Sequence, residues 1–235
     1  MANLRAAVIL AGGAATRLRP ISDSIPKAMV ELGGKPLLEW IVDWLRDNEV
    51  RQLVIGVAYR KEDIIEYFGD GSRHGVDIIY SHHAVEGGTG EGFRLAISRF
   101  VHDENFFAMN GDQITDLNLS KLADFHVKAS PLATIAVINP RSPFGHVEFD
   151  DHMSVTSFLE KPILTSTYMN TGIYAFNRRI LEYLPGKGDV EKIAFPRLVE
   201  ERKIKVYPYN GLFITVNTPK DIAEAEAALQ ERHIK

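Results

Sequence analysis

LAGGAATRLRPISDSIPK, residues 10–27, follows the short apolar run Ala6-Ala7-Val8-Ile9-Leu10. The run reads as a buried strand. Directly after it, Leu10, Ala11, Gly12 and Gly13 form a turn whose small residues let the backbone bend sharply and come close to a ligand. Successive free N–H groups in such a turn make an anion-binding concavity. Three cations follow, Arg17, Arg19 and Lys27. The planar fork of Arg17 suits phosphate oxygens. A strand, a glycine turn and cations in this order point to a polyphosphate site, although Gly-Gly after a strand also serves as a plain tight turn. No Gly-Lys-Ser/Thr follows, so this is not a Walker A loop, and the glycine spacing is not that of the dinucleotide fingerprint.

The chain has 235 residues, 45% of them apolar and 25% charged, enough for one domain with a sizeable core. Net charge is −4 with no basic run, which argues against extended nucleic-acid binding. There is no cysteine, hence no disulfide and no thiolate metal site, and a cytoplasmic location is expected. The N-terminal apolar run is too short for a signal peptide. No stretch approaches the roughly 18 apolar residues of a membrane helix, so no membrane partner is expected.

Onward from the loop, residues 36–48 read as a helix with Leu37, Leu38, Ile41, Trp44 and Leu45 on one stripe. Residues 53–57 read as a strand, 61–68 as a helix ended by Gly69, and 77–80 as a strand. Alternation of this kind predicts a largely parallel sheet covered by helices on both sides. The glycine-rich stretch 81–92 reads as a loop leading into a helix from Phe93 to Phe100. Strand 105–109 runs into Asn110-Gly111-Asp112, where an aspartate just beyond a strand end lies at the usual ligand edge of an open parallel sheet. Hard Mg²⁺ prefers such a carboxylate together with phosphate oxygens. After a helix at 120–128 the pattern changes: 133–139, 146–149, 155–159 and 169–176 read as successive strands, which favours an antiparallel or mixed extension. Asn177 should cap a helix to 184. A helix at 191–201 is expected to be interrupted near Pro196. Strands at 205–209 and 212–216 precede a last helix capped by Thr218, with Pro219 at its first position.

GGAATRLRP followed by PKAMVELGGKPLLEW resembles the signature of the sugar-1-phosphate nucleotidyltransferases, GGxGTRLxP, then PKPM, then KPLL. The match covers about thirty residues in order, with Ala15 replacing the usual glycine. This resemblance implies a three-layer, Rossmann-like α/β fold: a mostly parallel mixed sheet with helices on both faces. It also implies one domain over 1–235, with residues 1–130 a nucleotide-binding half and 131–235 a sugar-phosphate-binding half. Gly88-Thr89-Gly90 matches the family's base-binding turn. His83 falls where relatives carry the Gln or Glu that reads the base edge; histidine can donate or accept, so the base stays open. Asn110 and Asp112 match the NGD motif, Asp112 as metal ligand and Asn110 as a substrate contact, with Asp116 in a structural role. Gly145 in FGHVE, Glu160 and Lys161 in FLEKP, and Asn170 in MNTGIY match the motifs that hold the sugar phosphate. At the C-terminal end Thr215 stands where the family's second metal aspartate is usual; the resemblance makes Asn217 the candidate ligand in its place, directly or through water, and the alternative is an impaired metal site. His82-His83 is the only adjacent histidine pair and lacks a third zinc ligand nearby.

The implied reaction is attack of a sugar 1-phosphate oxygen on the α-phosphorus of a nucleoside triphosphate with loss of pyrophosphate. Mg²⁺ is the implied cofactor. The glycine turn holds the triphosphate, Arg17 and Lys27 are catalytic, and Lys161 holds the incoming phosphate. SIPKAM, the GTG turn and NGDQITDLNL most resemble mannose- or heptose-1-phosphate guanylyltransferases. The alternatives are a non-catalytic, nucleotide-binding regulatory relative, suggested by Thr215 and Ala15, and cytidylyl or uridylyl transfer to another phosphorylated substrate. A glycosyltransferase is disfavoured because its Asp-x-Asp motif is missing at 112–114. Homo-oligomerisation is left open.

Overall fold

A computed structural model describes residues 2, 4–13, 18 and 25–233, with backbone alone at 232 and 233. Arg17, Arg19 and Ala15, each singled out by the sequence, lie outside the described residues.

In chain order the strands are β1 (Ala6–Leu10), β2 (Glu31–Leu32), β3 (Lys35–Pro36), β4 (Gln52–Val57), β5 (Asp77–His82), β6 (Asn105–Asn110), β7 (Gln113–Thr115), β8 (Ala133–Ile138), β9 (His146–Phe149), β10 (Val155–Leu159), β11 (Met169–Asn177), β12 (Ile204–Pro208) and β13 (Phe213–Thr215). The helices are α1 (Leu37–Asp47), α2 (Lys61–Phe68), α3 (Gly88–Phe100), α4 (Leu119–Ala129), α5 (Val190–Glu200) and α6 (Pro219–His233). Seven strands form one sheet in the order β12-β8-β11-β6-β1-β4-β5. Strand β1 pairs in parallel with β4 and β6, β4 with β5 and β12 with β8, while β11 runs antiparallel to both neighbours, β6 and β8. The expected mixed, mostly parallel sheet is what the chain forms.

The layers follow from alternation along the strands. Ala7 and Ile9 of β1 with Phe107 and Met109 of β6 point to one core, shared with Leu38, Ile41 and Leu45 of α1, Ile64 and Phe68 of α2 and Leu122 of α4. Ala6 and Val8 with Phe106 and Ala108 point to the other, shared with Phe93 and Ile97 of α3 and Phe195 and Leu198 of α5. With both faces covered, central strands carry apolar residues at every position, hence the continuous apolar runs. A third, smaller cluster joins Ile114 of β7, Ile214 of β13 and Ala225 and Leu229 of α6.

Three expectations need correction. Residues 88–92 are not a loop: α3 begins at Gly88, inside the glycine run. Pro196 does not interrupt α5, which continues through it; Pro196 and Lys192 are both exposed, so water can reach the carbonyl that lacks its N–H partner. Strand β7, unforeseen, pairs antiparallel with β13, Thr215 opposite Gln113. Other local expectations hold. Gly69, at φ +55, ends α2. Asn177 caps as expected, accepting from Arg179 N, but the segment is a 3₁₀ turn, Arg178–Glu182, and not a helix reaching 184. Thr218 and Asp221 cap α6 reciprocally: Thr218 Oγ1 accepts from Asp221 N, and Asp221 Oδ2 accepts from Thr218 N. No helix among the described residues is long and apolar enough to cross a membrane.

Candidate active site

Parallel neighbours β1, β4 and β5 lead away in one direction, then the chain returns to place β6 on the other side of β1. Such a reversal opens a crevice at the C-terminal strand ends. A cleft of about 430 Å³ lies there, within the size range of small-molecule sites. Leu10, Ala11, Gly12, Gly13, Lys27, His83, Gly88, Thr89, Asn110, Asp112 and Asn217 line it together. Residues far apart in sequence, picked from separate motifs, thus meet.

The backbone explains how. Gly111 N donates to Leu10 O at 2.8 Å, and a Cβ at 111 would stand 2.9 Å from that oxygen, so only glycine lets the ends of β6 and β1 run this close. Asp112 then projects beside the glycine turn. Val216 N donates to Asp112 O at 2.8 Å, which sets Asn217 next to Asp112. Lys27, on a 3₁₀ turn from Lys27 to Met29, reaches across to both. Its Nζ donates to Asp112 Oδ2 at 2.7 Å and to Asn217 Oδ1 at 2.9 Å. Thr215 is not among the residues lining the cleft, whereas Asn217 is. Asp116 is structural: its Oδ1 accepts from Leu212 N at 2.7 Å.

His83 is held by glycines from three elements. A Cβ at Gly12 would lie 2.7 Å from His83 Nε2, one at Gly56 3.3 Å from Cε1, and one at Gly92 3.5 Å from Nε2. Burial holds the imidazole below its ordinary pKa. Beyond it α3 opens on the cleft, presenting the positive end of its dipole. Gly88 and Gly90 let α3 approach the segment 185–190: Cβ atoms there would meet Gly188 C at 2.6 Å and Pro185 Cγ at 2.4 Å.

The sugar-side residues divide. Gly145, Glu160 and Lys161 cluster at the base of a two-stranded arm, β9 with β10, and are not among the cleft-lining residues. A Cβ at Gly145 would lie 3.0 Å from Glu160 Oε2, and Lys161 Nζ is 3.7 Å from Glu160 Oε1, both side chains exposed. Asn170 connects to the cleft through a relay. Its Nδ2 donates to Tyr174 OH, which donates to Glu191 Oε1 at 3.2 Å, while Thr89 Oγ1 donates to Glu191 Oε2 at 2.8 Å. Glu191 and the cleft-lining Asp189 were not legible beforehand; nothing in GKGDVEK marks a site until β11 and α3 bring it alongside. Lys192 beside Asp189 holds its carboxyl below the ordinary range. Among the described residues no group of three or more His, Asp or Glu could hold a metal.

The Nucleotidyl transferase family matches residues 6–230, and the chain belongs to it. Mannose-1-phosphate guanylyltransferase catalytic subunit beta of Drosophila pseudoobscura pseudoobscura is 35% identical over 92% of this chain and 60% of its own length. UTP--glucose-1-phosphate uridylyltransferase of Synechocystis sp. is 34% identical over 97% and 64%. The chain therefore spans about three fifths of the length of these relatives. Among solved structures, HddC from Yersinia pseudotuberculosis complexed with GMP-PN superposes with a TM-score of 0.75 at 25% identity, covering 96% of this chain and 100% of that one.

Proposed function

We propose that this chain joins a nucleoside triphosphate to a sugar 1-phosphate, giving a nucleotide sugar and pyrophosphate. The observation that carries this reading is the meeting of Lys27, Asp112 and Asn217 under the glycine turn, in a chain of this family. A phosphate oxygen attacks the α-phosphorus, the bond to the β-phosphate oxygen breaks, and pyrophosphate leaves with the electron pair. The nucleophile is already ionised near neutral pH, so the protein's work is positioning and charge neutralisation. Backbone N–H groups at 11–13 hold the triphosphate. Lys27 turns to the α-phosphate, and Arg17 steadies the departing pyrophosphate. His83, Gly88 and Thr89 receive the base. Asn170, Gly145, Glu160 and Lys161 receive the sugar phosphate, residues 131–235 forming that half and 1–130 the nucleotide half.

Two oxygens already converge on one cation, the Lys27 ammonium, so Asp112 and Asn217 fit a divalent ion such as Mg²⁺. When bound, it would neutralise phosphate charge. A cytoplasmic setting follows from the need for nucleoside triphosphates.

The test is pyrophosphate release with Mg²⁺ across a panel of triphosphates and sugar 1-phosphates, mannose, heptose and glucose included. At least one pair should react, and the reacting pair names base and sugar. Silence across the panel with retained nucleotide binding would favour the regulatory reading, which the neutral Thr215 supports. Arg17→Ala should lower turnover roughly 100- to 1,000-fold; full turnover at saturating substrate would remove its assigned role.

A further inference from the structure

Lys27 occupies the ground that a metal on this site would need. Its ammonium sits 2.7 Å from Asp112 Oδ2 and 2.9 Å from Asn217 Oδ1, with its side chain only 13% exposed. Mg²⁺ binds oxygen at about 2.1 Å. An ion on the same two oxygens would fall almost on Nζ, and like charges that close cannot share a carboxylate. Among the described residues the other carboxylate lining the cleft, Asp189, is engaged by Lys192 at 2.7 Å and offers Lys27 no ready exchange. The backbone beneath Lys27 is fixed by Met29 N to Pro26 O and Val30 N to Lys27 O. Any exchange is therefore a swing of the side chain alone.

We infer that Lys27 is a built-in counter-ion that keeps divalent metal off Asp112 and Asn217 until a polyphosphate offers the ammonium another anion. Metal and triphosphate then enter together, as a chelate, and free metal does not enter first. The inference rests on the proposed function for the identity of the metal-holding pair.

The experiment measures Mn²⁺ binding to the nucleotide-free chain by electron paramagnetic resonance of the unbound ion. Unaltered protein should bind Mn²⁺ weakly. Lys27→Met should bind it at least about tenfold more tightly, as expected when a neighbouring like charge is removed. Adding Asp112→Asn to that variant should abolish the gain. Lys27→Gln serves if the methionine variant fails to fold. Equal Mn²⁺ affinity in unaltered and Lys27-substituted proteins of matched denaturation midpoint would overturn the inference, as would micromolar binding to the unaltered protein. Pyrophosphate release is scored separately. Unaltered protein that releases pyrophosphate, with no gain in Mn²⁺ affinity on substituting Lys27, sinks the counter-ion alone; a gain on substituting Lys27, with unaltered protein that reacts with no pair of the panel, sinks the reaction alone.

Discussion

A methyl group at position 12 would stand 2.7 Å from His83 Nε2 and 2.9 Å from Ala58 Cβ. The imidazole could swing away, but Ala58 Cβ is tied to the backbone, so the glycine turn itself must shift. Gly12→Ala should lower kcat/KM by roughly 100-fold, the scale of a misplaced reacting group. Gly13→Ala, whose Cβ meets nothing within 4 Å, should leave thermal stability unchanged. The steady-state assay and a melting curve on both variants check the contrast. His126 gives a prediction of another kind. It is fully buried, with Nδ1 on Thr134 Oγ1 and Nε2 facing Asn105 Oδ1, and burial lowers its pKa from 6.5 to about 4. Between those values the unfolded chain binds more protons than the folded one, so stability should fall as pH drops through that window, by up to about 3 kcal/mol. Above pH 6.5 this residue contributes no slope. Urea midpoints across pH 4–8 should show the decline, flattened in His126→Gln. No sequence signal separates His126 from the other histidines, whereas Gly12, Lys27 and Asp112 were legible because their motifs carry order and spacing.

Elements were legible where periodicity or a cap spoke for them. Helix α2 has the predicted bounds, closed by Gly69. Asn118 caps α4 by accepting from Lys121 N at 3.0 Å, and Asn118→Ala should cost about 1 kcal/mol by urea denaturation. The start of α3 was hidden because glycine carries a helix penalty near 1 kcal/mol per residue. Tertiary packing overrides it: Gly90 lies against Pro185 and Gly188, where a side chain has no room. Alanine at 90, the better helix former, should therefore destabilise the protein, and a fall in melting temperature for Gly90→Ala would show it. A rise would mean that the contact with segment 185–190 is dispensable. Strand β7 escaped notice because three residues carry no period, and its partner β13, Phe213–Thr215, lies far along the chain from it.

On the scale of the molecule, the alternation of strands and helices in the first half and of strands in the second announced a mixed sheet. The sheet order was not announced, because pairing partners are chosen by packing and not by local sequence. That order places β11 in the interior, between β6 and β8, running against both. During synthesis β6 must wait for residues 173–177 before its far side is covered, and until then it is a bare edge rich in phenylalanine, the kind that recruits foreign strands. A fragment ending near residue 130 should consequently aggregate when expressed alone, and co-expressing residues 131–235 should restore solubility, β11 covering β6 and β13 pairing with β7. The two halves behave as a zip with its slider in the middle: neither is a removable part, and either one made without the other is expected to be insoluble.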